Sequence, residues 1–207
     1  MRLPLWYTAP CLVEHAPLRS AFGTPSVRAV DFAGGWKLTN GNGFRPPDGV
    51  PGWLTPSEGR ALWETATGHI VLELGTACGR ATVCLAQSAR RVLTLDVQDQ
   101  TPATEWVRRF AVADRVEFRR GSVVDAMTTL GTERFGMVFV DTEHDAASVK
   151  RDLEAALGVI EPGGLIAVHD YPEPGWPDVR QVVDEFAIRL GWERVKQVDY
   201  LGVFRVR

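Results

Sequence analysis

From Thr55 onward the chain alternates short apolar runs with stretches in which apolar residues recur every three or four positions. The short runs predict strands over 70–74, 92–96, 115–119, 136–141 and 164–169. The amphipathic stretches predict helices over 79–89, 102–112, 122–130, 146–160 and 178–190. A leading helix starts at Thr55-Pro-Ser57-Glu58, with Thr55 or Ser57 as its cap, and runs to about Thr67. Within 146–160, Ala147, Val149, Leu153, Leu157 and Ile160 form the apolar side, while Lys150, Asp152 and Glu154 are assigned to solvent. Pro162-Gly163-Gly164 is expected to stop that helix and turn the chain into the next strand. Strands alternating with helices imply a mostly parallel sheet covered on both faces. Two last strands, near 192–199 and 202–206, are joined through Tyr200-Leu201-Gly202. So short a connection holds no crossover, and an antiparallel hairpin is expected.

Residues 1–55 read differently, being rich in Gly, Pro and Trp with little periodicity, and are assigned to a loop-rich N-terminal arm or lid; 56–207 form the regular domain. Trp36, Phe44 and Trp53 are candidates for a sugar-stacking or apolar surface over a pocket, or for anchors to the core or to a second subunit in a homodimer. At 207 residues one core is the default, and 23 basic against 26 acidic residues leave a net charge of only −3. Without a basic tract, nucleic acid is not an expected partner. Apolar runs such as Gly136-Met-Val-Phe-Val140 are far below membrane-span length, so no membrane association is expected either. The opening Met1-Arg2-Leu3-Pro4-Leu5 lacks a sustained apolar region, which favours a cytoplasmic location. Cys11, Cys78 and Cys84 form no zinc or redox spacing and read as reduced.

The chemistry collects at strand ends. Val71-Leu-Glu73-Leu-Gly75-Thr76-Ala-Cys-Gly79-Arg runs from a strand into a loop whose glycines permit unusual torsions and let a ligand approach the backbone. Its glycine pattern is not that of a pyrophosphate turn, and the Glu73 carboxylate would repel phosphate. The next strand ends in Asp96, an acid able to accept two ribose hydroxyls, though a helix cap or surface role also fits. Val138-Phe-Val140-Asp141-Thr-Glu143-His144-Asp145 and Ile166-Ala-Val168-His169-Asp170-Tyr171 place acids and imidazoles at two further strand ends on the same rim. Asp141, His169 and Asp170 offer two carboxylates and an imidazole to a magnesium or manganese ion; capping and packing roles are the alternative. His144, whose ordinary pKa lies near 6.5, and Glu143 are candidate bases.

At these positions the chain resembles the class I S-adenosylmethionine-dependent methyltransferases. Glu73-x-Gly75-x-x-x-Gly79 matches their first motif, Asp96 their ribose acid, and Arg119-Arg-Gly121-Ser122 their adenine-side segment; the likeness spans roughly 55–207. More narrowly, Asp141-x-x-His144, Arg151-Asp152-Leu153, Pro162-Gly-Gly164 and His169-Asp170-Tyr171 are similar to a bacterial small-molecule O-methyltransferase group related to macrocin and aminocoumarin-sugar O-methyltransferases. The resemblance implies an α/β, Rossmann-like, doubly wound seven-stranded sheet, mostly parallel with a C-terminal antiparallel hairpin. It implies donor-binding roles for Glu73, Gly75, Thr76, Gly79, Asp96, Gly121, Ser122 and Asp141. It further implies Mg2+ or Mn2+ on Asp141, His169 and Asp170, with His144 or Glu143 as base. His169 stands where several metal-dependent relatives have an acid. The implied reaction moves a methyl group from S-adenosylmethionine to a hydroxyl of a small molecule, a sugar or phenol of secondary, antibiotic-tailoring metabolism. A metal-independent N- or C-methyltransferase and a catalytically silent cofactor-binding scaffold are the competing readings.

Overall fold

Strands apolar on both sides can only be buried between two layers of helices, and the chain folds in that way. A computed structural model describes residues 43–207, so Trp36, Cys11 and the arm up to residue 42 lie outside the described residues. The strands are β1 (Ile70–Leu74), β2 (Arg91–Asp96), β3 (Val116–Arg120), β4 (Phe135–Val140), β5 (Ile160–Val168), β6 (Glu193–Val198) and β7 (Leu201–Arg205). Among the described residues they form one seven-stranded sheet in the order β3-β2-β1-β4-β5-β7-β6. β7 is antiparallel to both β5 and β6, and the other neighbours pair in parallel. The helices are α1 (Pro56–Ala66), α2 (Arg80–Ala86), α3 (Thr101–Arg109), α4 (Val123–Leu130), α5 (Ala146–Val159) and α6 (Pro177–Leu190).

Period-two alternation sorts side chains between two cores. Leu72 and Leu74 of β1 join Val138 and Val140 of β4 under α4, α5 and α6. Val71, Met137 and Phe139 face α1, α2 and α3. Chain order reverses between β1 and β4, which opens a crevice at their carboxyl ends, where doubly wound sheets take ligands. None of the described helices is long and apolar enough to cross a membrane.

Three expectations are corrected. α5 ends at Val159 because Ile160 is already extended (φ −72°, ψ 144°), and β5 begins there. Pro162-Gly163-Gly164 therefore lies inside β5, in a bulge where pairing passes from Phe135–Ile160 to Met137–Leu165. Asp152 is buried instead of solvated, because it falls on the same helical face as Val149, Leu153 and Ala156. There it accepts hydrogen bonds from the Thr142 hydroxyl and, at 2.9 Å, from Arg151 Nε. Cys84 is a free, buried thiol, but Cys78, also read as reduced, is disulfide-bonded.

The segment before α1 belongs to the packed unit Phe44–Arg207. Phe44, Val50 and Leu54 are buried in the α1–α3 core, with Phe44 5.9 Å from the Trp63 ring. Arg80 of α2 and Gln87, its C-cap, fasten the strap. Gln87 exchanges hydrogen bonds with the Arg45 backbone (2.8 and 2.9 Å). Arg80 donates to the carbonyls of Leu54 (2.6 Å), Pro47 (3.1 Å) and Val50. Arg80→Ala leaves these half-buried carbonyls without their charged donor and is expected to cost about 2 kcal/mol in denaturant unfolding. Limited proteolysis should then cut within 45–54 faster than in the parent protein.

Candidate active site

The glycine turn between β1 and α2 is built by close approach. Gly75 (φ +96°) lies so near β4 that a Cβ would come within 1.9 Å of the Asp141 carbonyl oxygen. Gly79 (φ +83°) would place one 2.8 Å from the Ala103 Cβ of α3. The missing side chains therefore make room for the protein's own chain, at β4 and at α3. Asp96 closes the turn from β2, its Oδ2 accepting the N–H groups of Thr76 (2.9 Å) and Ala77 (2.8 Å) and its Oδ1 that of Gln98 (2.8 Å). The Gly121 N–H bonds to the Asp96 carbonyl at 2.9 Å, bringing the β3–α4 loop alongside. Ser122 caps α4, accepting from Asp125 N (3.1 Å) and donating to Asp125 Oδ2 (2.6 Å). Val97 and Val124, 61% and 54% exposed, put apolar surface beside these groups. A lone valine after a strand, as Val97 is, carries no signal, whereas Val124 stands in the first turn of α4, which directly follows Gly121-Ser122.

Glu73 is fully buried on the α2 side of β1. Its Oε2 accepts from the Thr82 hydroxyl at 2.7 Å, and its Oε1 has no hydrogen-bond partner. Burial pushes its pKa up to about 8; the hydroxyls of Thr94 and Thr82 oppose the rise, and the charges of Asp141 and Asp96 add to it. At neutral pH the group is a neutral acid, so charge repulsion of phosphate is not its contribution to the turn. Behind the turn, Gln100 Nε2 donates to Thr76 Oγ1 (2.8 Å), which shares a 2.6 Å hydrogen bond with the Thr94 hydroxyl.

The acidic rim lies across the crevice. The loop after β4 is fixed to α5 through Thr142 and Asp152, and through Asp145, which caps α5 by accepting from Ala147 N and Ser148 N (3.1 Å each). Glu143 is exposed, with Ser148 Oγ 3.3 Å from its Oε2. His144 Nε2 lies 2.8 Å from Asp170 Oδ2, and its ring stacks on Trp176 with centroids 4.6 Å apart. Asp170 takes a left-handed conformation (φ +55°) that aims its side chain back along the rim. Ligand atoms of Asp141, His144 and Asp170 all fall within 4.8 Å of one another.

His169 is brought to the same place but stands behind that trio. Its Nδ1 is 3.4 Å from Asp141 Oδ1 and 3.3 Å from Asp170 Oδ2, and its Nε2 is 3.4 Å from Glu58 Oε2. Burial would lower its pKa, but Asp141, Asp170 and Glu58 outweigh this and hold the ring as an imidazolium. Burial likewise pushes Asp170 up, and His144 and His169 together draw it well below the usual carboxylate range. Glu58 is fully buried and also accepts from Thr55 N and Tyr200 N, both at 2.7 Å. Its only sequence signal was the capping box with Thr55, which announced a helix start and not a contact with the rim.

Residues 72–171, which contain the glycine turn, Asp96 and the acidic rim, match a family model described as a methyltransferase domain. Over these residues the chain is similar to that methyltransferase family. It is 35% identical over 115 residues to a catechol O-methyltransferase of Mycobacterium tuberculosis (strain ATCC 25618 / H37Rv), covering 48% of this chain and 52% of that protein. The chain thus spans about half the length of that curated relative. Among solved structures it is similar to cofactor-bound Rv0187 from MTB (TM-score 0.67, 26% identity, 75% of this chain and 82% of that one). An O-methyltransferase from Bacillus cereus in complex with SAH shares the fold (TM-score 0.64, 23% identity, 76% and 84%).

The buried Glu73 makes stability depend on pH with a definite sign. Its folded pKa is raised from 4.5 to about 8, so the native state holds the proton more tightly than the unfolded chain. Stability is therefore lost as pH rises through that window, on the order of 3–5 kcal/mol across it. Glu73→Gln keeps the neutral shape without the titration. Thermal melts from pH 4.5 to 8 should fall more steeply for the parent protein than for Glu73→Gln.

Proposed function

We propose that this protein transfers a methyl group from S-adenosylmethionine to a hydroxyl of a small molecule, with a divalent cation at the acidic rim. The observation that carries the reading is the double place of Asp141. Its carbonyl packs against Gly75 of the donor turn, and its carboxylate belongs to the convergent trio with His144 and Asp170. A donor on the turn and an acceptor oxygen at the trio would thus be neighbours. The relationship to a catechol O-methyltransferase supports a hydroxyl as acceptor, phenolic or on a sugar.

The residues fit both groups. Asp96 would exchange its bonds to the turn for ribose hydroxyls, Val97 and Val124 would pack against the adenine, and Gly121 and Ser122 would lie at its edge. Glu73, Gly75, Thr76 and Gly79 shape the turn, with one Glu73 oxygen still without a partner. Two carboxylates and an imidazole are a suitable set for Mg2+ or Mn2+, and in this reading Asp141, His144 and Asp170 are the ligands. When bound, the donor supplies an electrophilic methyl group on a sulfonium, and the ion supplies Lewis acidity that lowers the pKa of the acceptor hydroxyl. The chain contributes proximity: the acceptor oxygen forms a bond to the methyl carbon as the carbon–sulfur bond breaks. The hydroxyl proton passes to Glu143, which is exposed at the rim, while His144 is engaged with the cation.

A second reading, transfer without a metal, is favoured by the His169 imidazolium, which already opposes three carboxylates. In that case His144, oriented by Asp170, receives the proton.

Calorimetric titration of chelator-treated protein with S-adenosylmethionine, with and without Mg2+ or Mn2+, separates these readings. Asp96→Ala should weaken donor binding by roughly 10- to 100-fold. Asp170→Ala should abolish the cation's heat while donor affinity stays within about threefold. Cation-free protein that still methylates a catechol establishes the second reading, and a folded parent protein that binds no donor rules out both.

A further inference from the structure

The loop between β5 and α6 departs from local preference at both of its ends. It begins at Asp170, whose φ of +55° is a torsion that residues other than glycine seldom take. It ends at Trp176, the N-cap of α6, which makes no side-chain cap hydrogen bond. Serine, threonine, asparagine or aspartate in that place would accept an N–H of the first turn, and an indole accepts none. The helix is started instead by Pro177, with Asp178 in its first turn. Two such departures in one short loop call for a tertiary reason.

Both ends of the loop meet at His144. Its Nε2 lies 2.8 Å from Asp170 Oδ2, and the Trp176 ring stacks on it with centroids 4.6 Å apart and planes inclined by 21°. Successive turns carry the chain from one contact to the other: Glu173 N donates to the Asp170 carbonyl (3.2 Å) and Trp176 N to the Glu173 carbonyl (3.0 Å). Asp178 Oδ2 accepts from Ala146 N at 3.3 Å, which sets the starts of α5 and α6 side by side. Two residues before each of those partners stand Trp176 and His144.

The core does not hold the imidazole by itself. His144 borders a void of about 10 Å3, which Val149 and Val179 also line, and its side chain is 22% exposed on the other side. A ring with one hydrogen bond can tilt about that bond. The stacked indole fixes its plane, and the bond to Asp170 fixes its rotation within the plane. Trp176 is itself half-buried against the core under α5 and α6, so the stack has a firm base.

We propose that Trp176 is a positioning residue that sets the cation affinity of the Asp141–His144–Asp170 trio by fixing the plane of the His144 imidazole. The proposal rests on the cation reading above and assigns the orientation of one ligand to a residue outside the trio.

The test titrates chelator-treated full-length protein with Mn2+ alone, the free ion being followed by electron paramagnetic resonance. Trp176→Leu keeps apolar packing against the core without a flat ring and should bind Mn2+ about tenfold more weakly or worse. Trp176→Phe restores a stacking ring and should come within about threefold of the parent protein. Pulsed measurements on the Mn2+ complexes should show the His144 nitrogen coupling, absent in His144→Ala, in the parent and in Trp176→Phe, and a weakened or scattered coupling in Trp176→Leu. A merely structural role would lower stability without moving that coupling. Before any cation is added, the His144 ring protons of the parent protein should be displaced upfield by the indole, a readout that does not depend on the folding of any Trp176 variant. Mn2+ binding with no such displacement, Trp176→Leu within about twofold of the parent affinity, or weaker binding with the nitrogen coupling unchanged overturns this proposal alone. A folded parent protein that binds no Mn2+ overturns the cation reading and this inference with it.

Discussion

The approach of β4 to the end of β1 is the constraint on which the rest of this molecule depends. Asp141 N donates to the Leu74 carbonyl at 2.9 Å, and the Asp141 carbonyl occupies the space where a side chain at Gly75 would stand. That contact closes the sheet at its switch point, forces the left-handed torsion of the turn, and brings the glycine turn and the acidic rim to the same strand ends. A residue other than glycine at 75 would push β4 away and separate the two halves of the crevice.

Around that contact the charges are arranged so that each buried carboxylate has a partner. Glu58 on α1, Asp141 after β4 and Asp170 after β5 surround the single imidazolium of His169. Isolated, any of them would be costly to bury. Together they tie the first helix, the β6–β7 turn and two strand ends into one network, through Tyr200 N and the capping box. Glu73 takes the other solution, remaining neutral in a buried place where two hydroxyls are near and the charges of Asp141 and Asp96 oppose its ionisation. Two acids on one rim therefore have opposite protonation states, for reasons of environment alone.

Much of the frame was legible because it follows from short-range rules. Apolar runs of strand length, amphipathic stretches between them and a connection too short to cross over lead to a parallel sheet with a terminal antiparallel pair, and this is the arrangement found. Errors arose where one residue serves two purposes. Asp152 reads as solvated on a helical wheel, but it lies on the apolar face and is buried with Thr142. Pro162-Gly163-Gly164 reads as a helix stop, but the helix had already ended and the motif makes a bulge. In the site, the strand-end acids and histidines were visible as types at positions, whereas Val97 and the contact of Glu58 with the rim were not.

What the sequence by itself determined is the alternation of elements, the glycine turn and the set of polar residues delivered to strand ends, since periodicity and glycine torsions act within a few residues. Only the tertiary structure decided which of those groups meet. His144 converges with Asp141 and Asp170, while His169 is drawn back toward a glutamate 111 positions away. Sequence separation carries no information about such distances, and the ionisation of Glu73 and His169 depends on burial and on neighbours that only the folded chain brings together.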